Sequence, residues 1–211
     1  MTEKEYRSHP AISRSELWKI RESPEKFKYL KENPTEPTPA LIFGQAIHKL
    51  ALQPETFSDE FAVMPQVDRR TKDGKAIWAE FCQQSEGKTV ITNDDYIKAK
   101  DMVDSLHKAP FVNKLLSGER EKEFFWRDDF TGEECKCRAD CVSELGAVNI
   151  IVVLISARKA DLEHFTRDAI SYGYDFQAAM YTEGVEKCTG KKYAFVFIVI
   201  EKDPPYAVNV L

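Results

Sequence analysis

The sequence predicts an α/β (α+β) fold in which a mixed central sheet is flanked by helices. Up to about residue 118 the apolar side chains recur with the spacing of helices. Three successive extended segments then follow, and a helical segment separates them from a fourth. With 211 residues the chain is long enough for one domain with a sizeable core. We therefore expect a single domain over residues 1–211, helical over 1–118 and built on a sheet over 119–211.

The composition indicates an ordinary globular protein, because 43% of the residues are apolar and 31% are charged. No apolar run approaches the length of a membrane span, and the start of the chain lacks the apolar stretch of a signal peptide. We therefore expect a cytoplasmic protein whose five cysteines, an odd number, are free thiols. The net charge of −5 argues weakly against nucleic acid as a ligand, although local basic patches can bind DNA on an acidic protein.

Proline and hydroxyl side chains divide the helical part of the chain. Ser13 or Ser15 could cap a first helix, in which Pro24 marks a break or a new start. A proline-rich connector at residues 32–40 then precedes a buried helix at 41–52.

A polar segment with no apolar periodicity follows at residues 65–75, and we predict a mobile loop there. Helical patterns resume near 76–84 and 93–116. The basic side chains of this loop are Arg69, Arg70, Lys72 and Lys75. A basic run of this kind is usually a solvated surface.

Turns at Thr131-Gly132 and Leu145-Gly146 separate the first three extended segments, which indicates a meander of three strands. The predicted strands are 121–129, 134–144 and 149–156, followed by a helix over 161–187 and a strand over 192–201. The pattern is still extended at Leu211, which leaves further C-terminal elements open.

The side chains of residues 134–141 should alternate between two faces of the second strand. One face is small and apolar, and we predict that it packs in the core with Cys135, Cys137, Ala139 and Cys141. The other faces solvent or a cleft with Glu134, Lys136, Arg138 and Asp140. Three cysteines could supply thiolates to a metal, but one strand face is a poor geometry for converging on a single ion. Buried free thiols are the favoured interpretation.

Four short motifs occur in order along the chain. They are GQAIH (44–48) on the buried helix, Asp140 at the end of R-A-D on the second strand, V-L-I (153–155) on the third strand, and QAAMY (177–181) on the following helix. Apart from the V-L-I triplet, the order G-x-x-x-H, D, D/E-x-K, Q-x-x-x-Y resembles the RecB-like branch of the PD-(D/E)xK nucleases.

Three further segments resemble most nearly the RecE type of this branch, exodeoxyribonuclease VIII. They are ISRSELWKIRESPEKFKYLK (12–31), DRRTKDGKAIW (68–78) and ECKCRADCVSE (134–144). The resemblance covers nearly the whole chain. It implies a restriction-endonuclease-like core and a Mg²⁺-dependent 5′→3′ exonuclease that digests linear double-stranded DNA.

The resemblance also implies roles for individual residues. His48 and Asp140 would hold the metal, and Gln177 and Tyr181 would line the DNA-proximal side of the cleft. The loop with Arg69, Arg70 and Lys72 would lie near DNA phosphates. As partners it implies a ring-shaped homo-oligomer that threads DNA, and a single-strand-annealing protein of phage-type or prophage recombination.

Each of these residues also has a simpler interpretation. A histidine on an apolar helix is more often a core residue than a metal ligand. Gln177 and Tyr181 lie one helical turn apart and could form an ordinary helix surface with a half-buried phenol. The presence of all the motifs in order favours the site.

The chain departs from the family pattern at the third motif, where Val153 and Ile155 stand in place of the acid and the lysine. Neither side chain can coordinate a cation or exchange a proton. A strand that is apolar on both faces is typical of the centre of a sheet. We therefore predict reduced metal affinity and little or no cleavage. We also predict that His48 and Asp140 point into one cleft, with Val153 beside Asp140 on the neighbouring strand.

Three functions stay open. The favoured one is a DNA-binding nuclease-fold domain that is inactive or nearly so. The second is an active exonuclease with a migrated catalytic residue, for which the candidates are Glu134, Lys136, Asp161 and Glu163. The first two would lie roughly 13 Å or more from Asp140 in a regular strand, at about 3.3 Å per residue. The third is a non-catalytic partner-binding or structural domain.

Overall fold

The central sheet has six strands of mixed pairing and is flanked by helices, which confirms the predicted fold class. The computed structural model describes residues 1, 3–33 and 36–211. The part of the chain up to Leu115 contains α1 (Glu3–Ser8), β1 (Ile12–Ser13), α2 (Arg14–Ile20), α3 (Pro24–Glu32), α4 (Pro39–Leu52), α5 (Phe57–Glu60), β2 (Phe61–Val63), α6 (Lys72–Gln84), β3 (Thr89–Ile91), α7 (Asn93–Lys108) and α8 (Val112–Leu115). The remainder contains β4 (Glu119–Arg127), β5 (Glu134–Leu145), β6 (Val148–Ala157), α9 (Leu162–Tyr172), α10 (Tyr174–Thr189), β7 (Tyr193–Glu201) and β8 (Val208–Val210).

Strand β5 changes its neighbour along one of its edges. On the other edge of β5, strand β4 pairs antiparallel with residues 134–142. On the changing edge, Cys135 and Lys136 pair in parallel with β1, whereas residues 141–145 pair antiparallel with β6. Arg138 and Asp140 lie between these two pairings. The sheet therefore has a gap beside Asp140, and this gap positions the site described below.

Strand β6 lies at the centre of the sheet, between β5 and the parallel strand β7. Its residues 150–154 are buried, as expected for an apolar central strand. One hydrophobic core fills the space between the sheet and helices α4 and α7. A second core lies on the opposite face, under α10. Helix α4, which carries the G-x-x-x-H motif, is thus fixed against the sheet by its buried side chains Ile47 and Leu52.

The side-chain alternation of β5 slips by one residue at Asp140. Cys137 and Ala139 pack under α10, but Cys141 packs in the core on the opposite face. The prediction that all the small residues share one face is therefore wrong for Cys141. At the corresponding position of the neighbouring strand, Glu121 has a positive φ of 51° and the pairing of β4 with β5 is interrupted.

The predicted helix over 161–187 is two helices, because Gly173 adopts a left-handed conformation with φ of 67°. A Cβ atom at this position would stand 2.2 Å from the ring of Trp18. Arg14 donates a hydrogen bond of 2.6 Å to the Gly173 carbonyl oxygen and so caps the end of α9. Helix α2 is therefore docked on the junction between α9 and α10, and glycine is required at the junction.

Other helix boundaries differ from the predictions for local reasons. Thr71 caps α6, so the predicted loop at 65–75 ends there and the helix begins at Lys72. The predicted helix over 93–116 ends at Lys108 because Pro110 interrupts it. Pro34 and Thr35 of the predicted connector lie outside the described residues.

Capping side chains define the N-termini of two helices, which the sequence alone left open. Ser13, rather than Ser15, caps α2 and forms a capping box with Glu16. Pro24 begins α3, with Ser23 as its cap.

The five cysteines are free thiols, of which Cys135, Cys137 and Cys141 are buried. Their burial agrees with the interpretation that they are core residues. No helix in the described part of the chain is both long and apolar enough to cross a membrane.

Two helical glycines should respond oppositely to replacement by alanine. A Cβ at Gly184 would stand 2.5 Å from the Trp126 ring, whereas one at Gly44 would meet no atom within 4 Å. We expect Gly184→Ala to lower the free energy of unfolding by about 1–3 kcal/mol through overpacking. Gly44→Ala should raise it by about 0.5–1 kcal/mol, because alanine favours a helix interior. Urea denaturation of both variants measures the difference, and equal effects would contradict the packing of α10 on β4.

Candidate functional site

A cleft of about 1570 Å³ opens between the N-terminal helices and the gap in the sheet. Helices α1 to α4 line one side of it, and β4, β5 and α10 line the other. Of the residues predicted to form a site, the cleft contains His48, Asp140, Gln177 and Tyr181.

The side chains of His48 and Asp140 meet at the gap in the sheet. His48 Nδ1 lies 3.5 Å from Asp140 Oδ2. The same carboxylate oxygen accepts a 2.6 Å hydrogen bond from the backbone N–H of Leu154 on β6. The side chain of Asp140 is 14% exposed and that of His48 is 33% exposed. The structure thus brings together the two predicted metal ligands, from helix α4 and from strand β5.

The Asp140 carboxylate takes the place of a backbone acceptor between the two strands. The pairing of β5 with β6 ends at Cys141 and Val152, so the next N–H groups of β6 need another partner. Burial raises the pKa of Asp140 above its ordinary value and outweighs the opposing effects of His48, the Leu154 N–H and Arg138. A carboxylate held in this way can act as an acceptor for a backbone donor or as a ligand for a cation.

Val153 and Ile155 do not reach the cleft, since neither is among its lining residues. Val153 is 3% exposed and continues the register that places it beside Asp140. Ile155 packs against the core cluster that contains Phe165 and Val199. The first position of the motif triplet is therefore buried, and the second is partly buried against the hydrophobic core.

Gln177 and Tyr181 occupy the α10 side of the cleft. The Tyr181 ring also packs on the core under α10, with its centroid 6.3 Å from that of Phe195. Burial raises the pKa of Tyr181, so the phenol stays protonated at neutral pH. Tyr181 therefore packs against the core and also borders the cleft, and the role of this motif beside DNA stays a prediction.

Of the four candidates for a migrated catalytic residue, only Lys136 lines the cleft. Its ammonium group donates hydrogen bonds to the backbone carbonyls of Tyr6 and His9. Asp161 caps α9, and Glu163 forms an ion pair with Arg167 on the surface of that helix. These contacts favour structural roles.

The basic residues of the predicted loop lie apart from the cleft, since none of Arg69, Arg70 and Lys72 lines it. The Arg69 guanidinium stacks on the indole of Trp78 at 4.0 Å. Arg70 pairs with Asp68 at 3.1 Å. This part of the chain is a second, separate surface.

The sequence did not single out Glu121, which lies in the cleft wall with its carboxylate 2.8 Å from the Arg138 guanidinium. Its left-handed backbone is unusual for a residue inside a strand. The alternation of E-R-E-K-E (119–123) indicates a polar face, but the sequence alone does not give the register that sets Glu121 against Asp140.

The residues at the gap do not fit a magnesium ion. Nucleases of the PD-(D/E)xK type generally use divalent metals, and Mg²⁺ prefers oxygen ligands in octahedral geometry. His48 and Asp140 supply one nitrogen and one carboxylate, and Val153 supplies no donor. Over residues 1, 3–33 and 36–211 no three His, Cys, Asp or Glu side chains are grouped closely enough to hold a metal ion.

Comparison with known proteins agrees with this fold. Residues 13–211 match the family described as PDDEXK-like domain of unknown function (DUF3799). The crystal structure of a candidate exonuclease from Eubacterium rectale is 16% identical, with a TM-score of 0.64 over 100% of this chain and 77% of its own. The structure of SSO0001 is 12% identical, with a TM-score of 0.35 over 82% of this chain and 75% of its own. No curated protein matches the chain. The RecE type stays a prediction.

Replacing Asp140 by asparagine should stabilise the protein at neutral pH. The pKa of Asp140 is raised in the folded state, so ionisation of this carboxyl group lowers the stability of the fold. The loss of stability disappears below the unfolded pKa of about 3.9, because the group is then protonated in both states. The asparagine oxygen can still accept the Leu154 N–H. We expect Asp140→Asn to raise the free energy of unfolding at pH 7, with a gain that shrinks towards pH 4.

Urea denaturation at several pH values measures this gain. Asp104→Asn, which removes an exposed carboxylate of α7, is the matched control and should change little. A loss of stability in Asp140→Asn at pH 7 would mean that the ionised carboxylate and His48 stabilise the fold together.

Proposed function

Because the chain belongs to the PDDEXK-like family of domains of unknown function, we propose that it binds linear double-stranded DNA and cleaves it little or not at all. One observation carries this proposal. The His48 and Asp140 side chains meet in an open cleft at the gap in the sheet, whereas Val153 and Ile155, at the positions of the acid and the lysine, are packed in the core.

The lack of cleavage follows from the groups in the cleft. Hydrolysis of a phosphodiester needs an activated water molecule and stabilisation of the negative charge that develops on the phosphate. In this family fold both tasks fall to a metal and to the lysine. Asp140 and His48 alone are a poor metal site, and Ile155 cannot replace an ammonium group.

The cations of the cleft support weak binding to DNA. Arg14, Lys19, Lys136 and Arg138 all line it and could neutralise backbone phosphates. Acidic side chains such as Glu121 and Glu123 line it as well. We therefore expect modest affinity that depends strongly on salt. On the resemblance alone, the proposal extends to a ring-shaped homo-oligomer and to a single-strand-annealing partner.

Binding to a labelled linear duplex should weaken as salt rises, by a slope of about 0.9 in log K against log salt for each phosphate contact. Gly44→Ala places a methyl group in the cleft one helical turn before His48, so it should weaken binding several-fold without loss of stability. Arg69→Glu with Arg70→Glu tests the separate basic surface and should also weaken binding.

Fluorescence anisotropy at several salt concentrations measures both effects. If only the arginine variant weakens binding, the DNA lies on the loop and α6 rather than in the cleft. Absence of binding at low salt would favour the partner-binding function.

The present chain should not degrade DNA, and Val153→Asp with Ile155→Lys should restore cleavage. His48, Asp140, Gln177 and Tyr181 already stand around the gap. Two charges in the apolar strand β6 should cost several kcal/mol of stability unless partners compensate. Mg²⁺ should therefore raise the melting temperature of the restored variant more than that of the present chain.

Digestion of linear duplex DNA with Mg²⁺ measures the first effect, and thermal unfolding measures the second. Val153→Asn with Ile155→Met is the control that adds polarity without the two charges. Equal digestion by the present chain and the restored variant would point to a migrated catalytic residue. If the restored variant folds, binds Mg²⁺ and still leaves DNA intact, the resemblance to an exonuclease is misjudged.

A further inference from the structure

Helix α1 covers two cations of the cleft wall. The Lys136 ammonium group donates hydrogen bonds of 2.7 Å and 2.8 Å to the carbonyls of Tyr6 and His9. The Tyr6 ring lies 4.9 Å from that ammonium and 4.6 Å from the Arg138 guanidinium. As a result Lys136, on a strand that faces the cleft, is only 3% exposed.

The two covered cations lie on the same strand of the cleft wall as Asp140. Arg138 and Lys136 precede Asp140 by two and four residues on the same strand face, and all three line the cleft. At about 3.3 Å per residue they lie about 7 Å and about 13 Å from Asp140 along β5. Uncovered, they would extend the contact surface of the cleft away from the gap in the sheet.

The cover is held by few apolar contacts. In the segment 5–10 no side chain is fully buried, and the first buried one is Ala11. The His9 and Tyr6 rings both pack on Phe125, with centroids 4.6 Å and 6.3 Å from its ring, and the backbone carbonyls of Tyr6 and His9 accept the hydrogen bonds of Lys136. A short segment with little buried apolar surface opens at low free-energy cost.

Burial of Lys136 under α1 also disfavours the charged form of its side chain. Burial lowers the pKa of the Lys136 ammonium, although nearby Glu16 acts in the opposite direction. Its present partners are neutral carbonyls, whereas a phosphate would accept the same hydrogen bonds and add the attraction between opposite charges. A phosphate would also compete with Glu121 for Arg138. An anionic ligand can therefore replace α1 at this wall.

We propose that Lys136 and Arg138 form a second contact site for backbone phosphates of DNA, and that α1 is its displaceable cover. The inference rests on the proposed function, because it assigns these contacts to the DNA that enters the cleft. In the closed state α1 limits binding to the part of the cleft beside His48 and Asp140.

The test compares the full chain with a variant in which the cover is loosened, Tyr6→Ala with His9→Ala. We expect tighter binding of a labelled duplex at low salt and a steeper salt dependence, by up to about 1.8 in the log–log slope for two added phosphates. Tyr29→Ala, an exposed tyrosine of α3 outside the cleft, is the matched control and should leave both unchanged. Adding Lys136→Met and Arg138→Met to the loosened variant should remove the gain.

A second measurement uses the unmodified chain. If DNA displaces α1, hydrogen–deuterium exchange of the amides in 5–9 should become faster when duplex is added. Slower or unchanged exchange would mean that α1 is a fixed part of the wall, and it would overturn the inference even if the loosened variant unfolds.

The outcomes separate this inference from the proposed function. The full chain and the loosened variant could both bind DNA with the same dependence of affinity on salt. In that case the inference that α1 covers a contact site is wrong, and the proposed function stands. If only the loosened variant binds, the inference about the cover stands and the proposed DNA binding of the unmodified chain falls. If neither binds at low salt, both fall.

Discussion

The hydrogen bond from the Leu154 N–H to the Asp140 carboxylate is the constraint on which the site depends. Strand β5 exchanges β1 for β6 along one edge, and backbone donors at such an exchange must find other acceptors. A side-chain carboxylate fills this place, so the sheet can open into a cleft without leaving the donor unpaired. Asp140 therefore has a structural reason to be present whether or not the chain cleaves DNA. Its presence, with His48, is evidence for the fold and the cleft rather than for catalysis.

The same constraint explains why the motif triplet can be apolar. Strand β6 lies at the centre of the sheet with cores on both faces, and a charge there would need a metal or a partner to offset its burial. Val153 is buried and Ile155 packs against a further core cluster, so these two apolar side chains remove chemistry and favour stability. At these two positions catalysis would require charged side chains, whereas packing favours apolar ones, and this chain has the apolar ones.

Much of this arrangement follows from local sequence patterns. The two-residue period of a strand places Lys136, Arg138 and Asp140 on one face, and all of them line the cleft. The two-residue period fails at Cys141, beside the point where the pairing of β4 with β5 is interrupted at Glu121, and the sequence pattern of β5 alone does not show this. Tertiary contacts of this kind also decide other details. Gly173 divides a continuous helical pattern because Trp18, far away in the sequence, occupies the space of a side chain. Strands β1, β2, β3 and β8 have two or three residues each, too few for a pattern to show.

The charges of the cleft set how firmly it could hold an anion. Its cations largely have partners within the chain, as in the pairs Lys31–Glu16, Lys49–Glu60 and Arg138–Glu121, with separations of 3.4 Å, 2.6 Å and 2.8 Å. When a phosphate binds here, a cation of the cleft exchanges its carboxylate partner for the phosphate. The affinity therefore reflects only the difference in free energy between these two interactions. Salt screens the internal pairs as well as the pairs with DNA. The segment that can change this balance is α1, because its hydrogen bonds with Lys136 come from neutral carbonyls rather than from a carboxylate. For this reason the exposure of Lys136 and Arg138 on β5, more than the total charge of −5, should determine how tightly the cleft binds nucleic acid.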